Sequence, residues 1–574
     1  MWWTLLSACT KDCPPGSVEG EDGLCYPAEA SEDSGPGPGD FELEATALEA
    51  CAAPDLRDSE GAFVEVDGGD DWQDQAVIDN FEEVYTGYGL AVADLDGDGW
   101  LDVFLPNRGT DQLFLGLGDG SFVDASDRLP QESAPSTAAT AVDVDGDGDL
   151  DLFIARLYEH NALWLNDGSG TFVETAERDW LEVAERTTMG STWHDVDGDG
   201  DLDAAVNHLS NWHPGWMEET PSAGWDEWPQ DILFWNQGGG VLEGSDALPA
   251  DLGAGFTFVS MWFDHEGLGE PGLYIANDFR SEFDWIQSNR VFGYDGSSFS
   301  EVTDSSGAGM RSETMGLSVG DLNGDQRADV AMSARGKIHL LMSHETGWFD
   351  VGDSVGLSWL SERPDDNAWG IDLEDIDNDG DLDMAVAMGL LMADLPWDET
   401  LTREILEDDR KFFYNPTMQS DRLYLQDEDG QFEDVAAAWG VDETMVSRGL
   451  ILADLDGDGW LDLLKRDMAG APRIHLARCG TQHAAVVALE GPSPNPFGVG
   501  ARVTVTAGEL KLTRWIHAGE SLSSSAPYVA HFGLGDASSI DRLELRWPDG
   551  QEAVFKDVEV DHRLVVRHPD AAAR

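Results

Sequence analysis

A nine-residue pattern, with acidic or amide side chains at positions one, three, five and nine, constrains this chain more than any other feature. It is set by Asp94, Asp96, Asp98 and Asp102. It returns as Asp143, Asp145, Asp147 and Asp151, then as Asp195, Asp197, Asp199 and Asp203. Three more copies carry Asp321, Asn323, Asp325 and Asp329; Asp375, Asp377, Asp379 and Asp383; and Asp454, Asp456, Asp458 and Asp462. A degenerate copy begins at Asp264, where Leu268 and Gly272 replace the third and last carboxylates. A tight loop of this kind turns alternate side chains inward, and the intervening glycines supply the positive φ that branched residues resist. The result is an all-oxygen cage, with the carbonyl of position seven as a further donor, suited to Ca²⁺ and poorly suited to metals that prefer His or Cys. Magnesium keeps its waters and uses few carboxylates. Acidic surface turns without an ion would explain one copy, but not six at the same place in a repeat. The expectation is about six structural calcium sites, with the copy at Asp264 having lost its metal.

The flanks are strands, Gly89 to Asp94 before the first loop and Leu101 to Leu105 after it, and no Glu stands at position twelve, which argues against a helix-flanked EF-hand. A second hairpin follows each loop: Asp111 to Asp124, Asn161 to Glu174 and Asp421 to Asp434 share apolar strands around a Gly turn. Each unit therefore reads as a four-stranded antiparallel meander. Successive first aspartates lie 49 to 79 residues apart, a fitting length for propeller blades with insertions. The fold class expected is all-β: a seven-bladed β-propeller over 61–478, then a small all-β domain over 479–574. The last unit ends at Arg478 without an outer strand, and Ala62 to Val66 has that pattern with no unit of its own, so the N-terminal strand should close the ring.

These Asp-rich hairpins resemble the FG-GAP/VCBS repeats of integrin-α-type propellers. The resemblance implies calcium binding and a surface or extracellular setting. After Cys479, the segments Val486 to Leu489, Gly498 to Thr506, His531 to Gly535 and Leu543 to Gly550 resemble the ASPIC/UnbV module found behind such propellers in the cartilage acidic protein family and its bacterial relatives.

The chain of 574 residues carries 114 Asp and Glu against 32 Lys and Arg, a formal charge of −82. That excludes a nucleic-acid backbone or an anionic membrane surface as partner, because both need clustered cations. Hydrophobic residues make up 41%, enough for a folded core. No apolar run is long enough to span a bilayer. At the start, Leu6, Ser7, Ala8 and Cys9 resemble the lipobox of bacterial lipoproteins, which implies acylation of Cys9 and a membrane link through that lipid alone. Residues 1–9 are then the remnant of an export signal. Its eight residues ahead of Cys9 are fewer than such a signal needs, which a start site set too far downstream explains. Residues 10–60, rich in Gly, Pro, Ser and acid, read as a flexible tether. With Cys9 acylated, Cys13, Cys25, Cys51 and Cys479 remain, and four cysteines allow three pairings. Cys13 with Cys25 closes a small loop, and ring closure brings Cys51 toward Cys479. The expected location is the cell surface or periplasm, anchored to the outer membrane.

No Gly-x-Ser-x-Gly, His-Glu-x-x-His or phosphate loop is present, so the reading is of a binding or adhesion module rather than an enzyme. The alternative is a polysaccharide lyase that uses calcium to acidify a sugar proton. His194, beside a calcium loop, reads as a packing residue. The long insertions all join second to third strands, on the face opposite the calcium loops. They carry Trp212, Trp216, Trp225, Trp228 and Trp285, which could stack on a glycan or anchor a surface protein, or bury themselves beneath their own loops.

Overall fold

The computed structural model describes residues 17–19, 25–27, 41–50 and 63–66, residue 87, and most of 89–571, leaving out 88, 158, 176–186, 210–230, 246–256, 265–270, 279–287, 345–346, 359–365, 390–418, 469–470 and 520. Among these residues seven four-stranded antiparallel sheets follow one another along the chain. The first contains Ala91–Ala93, Asp102–Leu105, Gln112–Gly116 and Phe122–Asp124 in sequence order. Its three inner strands are buried throughout, and the fourth is largely exposed. This gradient is that of a propeller blade, whose inner strands are covered by neighbours on both faces while the outer one meets water.

The register follows the repeat. In six sheets the ninth residue of the loop pairs with the residue just before the first aspartate, as in Ala93↔Asp102, Val142↔Asp151 and Ala453↔Asp462. In the degenerate unit the same rung is Phe263↔Gly272, so Gly272 does occupy the place of the last carboxylate. Neighbouring inner strands are tied by polar contacts: Thr137 Oγ1 donates to the Thr188 carbonyl at 2.5 Å, and the Leu452 amide donates to Asp372 Oδ2 at 2.9 Å. The last sheet is completed from the N-terminus. Phe63–Val66 pairs antiparallel with Arg473–Ala477, from Ile474↔Val66 to Ala477↔Phe63. Leu90 and Val92 of the first sheet share a core with Ile451 and Ala453 of the last, which closes the ring without an open edge.

The C-terminal module is two further four-stranded sheets built mainly from 483–567. One of them recruits a strand from far upstream. Glu42–Ala47 pairs with His562–Arg567, from Glu42↔Arg567 to Ala47↔His562. The expected tether therefore ends before residue 41. Composition hid this edge strand, because most of its side chains face water; its anchor is buried Phe41, whose ring centroid lies 5.6 Å from that of His568. A short hairpin, Ser17–Glu19 with Cys25–Pro27, also falls within the expected tether.

The module sits on the loop face of the propeller. Residues 517–519 and 521–526 run along the innermost strands: Val92 N–H donates to the Ser525 carbonyl, Trp193 N–H to the Ala518 carbonyl and Ser523 Oγ to the Met189 carbonyl. Close approach requires glycine here. A Cβ on Gly89 would lie 1.6 Å from the Ser523 carbonyl oxygen, and one on Gly533 would lie 2.2 Å from Asp375 Oδ2. Among the described residues no helix is long and apolar enough to cross a membrane.

Candidate metal centres

Each loop is organised by its own carboxylates. The first aspartate takes amides from the middle of the turn: Gly146 N–H donates to Asp143 Oδ1 and Gly148 N–H to Asp143 Oδ2. The fifth-position residues Asp98, Asp147, Asp199, Asp325, Asp379 and Asp458 each accept the amide two residues on, closing an Asx turn. The ninth aspartate spans the sheet. Asp151 Oδ2 accepts the Val144 amide inside the loop at 3.1 Å, and its Oδ1 accepts the Asn166 amide of the third strand at 2.9 Å. Asp102, Asp203, Asp329, Asp383 and Asp462 repeat both bonds. Glycines at position four hold φ of 72–80° in five loops, and Asn378 takes the same left-handed conformation at 59° in the sixth.

Carboxylates at positions one, three and nine converge in four loops: Asp94, Asp96 and Asp102; Asp143, Asp145 and Asp151; Asp375, Asp377 and Asp383; Asp454, Asp456 and Asp462. In the third loop the converging set is Asp195, Asp197 and Asp199. One oxygen from each lies within 4.8 Å of the others. The fifth-position aspartates stay outside four of these groups, and Asp199 joins the fifth while keeping its Asx bond. In the loop with Asn323, Asn323 Oδ1 accepts the Asp325 amide at 2.9 Å, and among the described residues no three carboxylates come as close. In the degenerate unit Asp264 is described, and residues 265–270 lie outside the described residues.

Burial and crowding set the electrostatics of these carboxylates. Burial is the largest cause in every case; neighbouring carboxylates add to it, while amide bonds and, at Asp321 and Asp375, the Arg514 guanidinium oppose it. Asp102, Asp143 and Asp454 are pushed up to about 7, Asp151 and Asp203 to about 8, and Asp195 and Asp321 to about 6. Asp375, Asp383 and Asp462 rise well above the usual carboxylate range for the same reason. Asp96 Oδ1 and Asp456 Oδ1 are buried and accept no hydrogen bond. Orphaned anionic oxygens inside a converging carboxylate set fit a hard divalent cation such as Ca²⁺, whose charge would return these groups to their ionised form.

Sequence reasoning missed the link between neighbouring loops. Asn166 Nδ2 donates to the Leu95 carbonyl in the preceding loop at 2.7 Å and to the Leu150 carbonyl in its own at 3.0 Å; Asn236 bonds Val144 and Leu202 in the same way. Gln426 Nε2 reaches the Leu322 carbonyl at 3.2 Å. The signal was a polar amide closing the third strand in several units.

The family comparisons agree with this geometry. The FG-GAP-like repeat matches at 94–154, 143–206, 321–386 and 412–464, and the ASPIC and UnbV family matches at 491–573. The chain carries FG-GAP-like repeats and, behind them, an ASPIC and UnbV module. No curated protein matches it. Among solved structures, BBS1N in complex with ARL6DN is similar at 9% identity and a TM-score of 0.39, over 73% of this chain and 98% of that one. An Agrocybe aegerita lectin recognising non-reducing terminal N-acetylglucosamine is similar at 14% identity and a TM-score of 0.34, over 69% and 91%. The extracellular domain of a one-component system from B. thetaiotaomicron is similar at 9% identity and a TM-score of 0.39, over 74% of this chain and 40% of that one.

Outside the loops, this FG-GAP-like repeat protein carries a Ser–His–Asp chain. Ser312 Oγ lies 2.8 Å from His339 Nε2, and His339 Nδ1 lies 2.6 Å from Asp350 Oδ2. The arrangement of nucleophile, base and orienting acid is right for acyl transfer. The repeat gives it a structural explanation. In the next unit Asp366, Arg422 and Asp434 occupy the same strand positions, and Arg422 contacts Asp366 at 3.3 Å and Asp434 at 3.0 Å. Arg290 with Glu301 is a third version. A polar staple between third and fourth strands recurs, and the histidine is one variant of it. His194 is also a packing group: burial lowers its pKa to about 4, and its ring centroid lies 6.1 Å from that of Trp262.

Proposed function

We propose that this FG-GAP-like repeat protein is a calcium-stabilised binding module displayed outside the cytoplasm, taking a protein or glycan ligand on the face opposite its metal loops. The observation that supports this most is that its own ASPIC and UnbV module covers the loop face, with Ser521, Leu522 and Ser525 fully buried against the propeller. The free end of the ring is then the one from which the long second-to-third-strand connections leave, after Leu209, Asn277 and Met388. Trp212, Trp216, Trp225, Trp228 and Trp285 belong to those connections and lie outside the described residues. Glycan-array and pull-down screening should yield a ligand, and alanine at Trp212, Trp216 and Trp285 together should abolish its binding. Undiminished binding would reject that patch, and ultraviolet-absorbing unsaturated products from an acidic polysaccharide would replace the binding role with a lyase.

An exported setting goes with three covalent features: acylation of Cys9, and disulfides joining Cys13 to Cys25 and Cys51 to Cys479. The Glu49 amide donates to the Gly457 carbonyl at 2.8 Å, which brings the chain two residues before Cys51 to the loop preceding Cys479. Cys479 is buried, and Cys13 and Cys51 lie outside the described residues. Intact mass spectrometry of native protein under non-reducing conditions should show the lipid adduct and no alkylatable thiol. A free, unmodified set of five cysteines would overturn the export reading.

A further inference from the structure

A cavity of about 200 Å³ lies between the C-terminal module and the loop ends of several propeller sheets. The module lines it with Arg514, Trp515, His517 and His531, and the propeller with Glu374. Exposed Thr46, Glu49 and Arg563 also line it, so it opens to solvent. Its volume exceeds the roughly 30 Å³ share of one water several-fold, which makes it roomy enough for a small organic molecule.

The polar atoms in it are unsatisfied in a particular way. Arg514 is 6% exposed; its Nη1 donates to the Thr513 carbonyl at 3.1 Å, while Nε and Nη2 have no hydrogen-bond partner. Those two nitrogens form one edge of the guanidinium, the edge that grips a carboxylate through two parallel bonds. Glu374 Oε2 is buried and unpartnered, as is His531 Nδ1. His531 Nε2 lies 3.1 Å from the Gly459 carbonyl oxygen, which places the ring proton on Nε2 and leaves Nδ1 as an acceptor. The cavity thus offers a two-donor cationic edge together with two acceptors, one of them a carboxyl group.

We infer that this cavity binds a small zwitterion of the amino-acid type, its carboxylate on the Nε–Nη2 edge of Arg514 and its ammonium group toward Glu374 and His531. The site is separate from the ligand face proposed above and does not depend on it. The Arg514 charge already faces Glu374, Asp321 and Asp375, so what the ligand supplies is hydrogen bonding: an anion without an ammonium group would leave Glu374 Oε2 and His531 Nδ1 without a donor, and a simple cation would leave Arg514 Nε and Nη2 without an acceptor.

The test uses the full, calcium-loaded chain. Each of the twenty common amino acids, with propionate and ethylamine as half-ligands, is screened by thermal shift in the millimolar range, and positives are titrated by calorimetry. At least one amino acid should raise the melting temperature and bind saturably, and both half-ligands should bind at least about tenfold more weakly than alanine or its best analogue. Arg514→Lys, which keeps the charge and loses the bidentate edge, should weaken binding about tenfold or more, and Glu374→Gln should weaken it as well. No response to any amino acid, meaning a cavity filled by water alone, would overturn the inference; so would equal binding of propionate, or an unchanged affinity in Arg514→Lys. The half-ligand comparison decides the matter on wild-type protein even where a variant fails to fold.

Discussion

Stripping divalent metal with EGTA at pH 8 should lower the melting midpoint of this protein by ten degrees or more, on the order of what several coupled metal sites contribute. At free calcium about 100-fold above Kd, each independent site adds about 2.7 kcal/mol, and five carboxylate groups converge closely enough to form one. The drop should depend on pH with a definite sign. Without metal, Asp102, Asp143, Asp151, Asp203, Asp329 and Asp454 titrate at about 7 to 8 in the fold, against about 3.9 in an unfolded chain. The metal-free fold therefore holds more protons than the unfolded chain between these values. What these groups contribute to its stability is full below about pH 4 and is lost as pH rises through the folded values of about 7 to 8. Calcium needs the same groups ionised, so its affinity rises over the same interval. The gap between calcium-loaded and chelated melts should be widest at pH 8 and narrow steadily toward pH 5. A midpoint unmoved by EGTA, a gap that widens on acidification, or elemental analysis without alkaline-earth metal would each contradict structural calcium.

What the sequence made legible was whatever repeats. The loops, their flanking strands and the register of the degenerate unit all follow from one period, so aligning Leu273 to Asn277 with Val103 to Asn107 was enough to place Gly272 opposite Phe263. Ring closure was legible because a strand lacking a unit matched a unit lacking a strand, and Val66 does pair with Ile474. What stayed hidden is made by residues that occur once. The contact between module and propeller uses Gly89, Ala518, Gly519 and Ser523, small groups whose value lies in letting backbones approach, and no periodicity announces them. The strand at Glu42–Ala47 was read as tether because an edge strand with an exposed acidic face has the composition of a linker. The ninth aspartate of each loop was read as a metal ligand only, whereas its oxygens also fasten the loop to the third strand. That second duty depends on a backbone amide fourteen or more residues away, which spacing alone cannot point to.

Leu522→Asp should cost this protein several kcal/mol and detach the C-terminal module from the ring, the largest effect expected from any single change outside the metal loops. Leu522 is fully buried in one apolar cluster with Met189, Phe258, Met315, Trp369 and Leu450, drawn from the third, fourth, fifth, sixth and seventh sheets. Its neighbours Ser521 and Ser523 hold a φ of 55° each, a conformation that non-glycine residues keep only when the surroundings enforce it. A carboxylate in that position must either be desolvated inside an apolar cluster or expel the segment, and expulsion also breaks the Ser523–Met189 and Ser525–Val92 bonds. Leu522→Ala should cost about 2–5 kcal/mol by leaving a cavity, and Leu522→Met less than about 1.5 kcal/mol. In calcium-saturated protein, trypsin should cut the aspartate variant rapidly after Arg478, which is 8% exposed in the intact fold, so that reducing gels show the 479–574 fragment while wild type resists. A variant that melts within a degree or two of wild type and resists trypsin equally would mean that the segment is a passenger in the channel. Because residues of five sheets share one apolar cluster with a leucine supplied by the C-terminal module, loss of Leu522 and loss of calcium should each lower the melting midpoint of the ring as well as loosen the module.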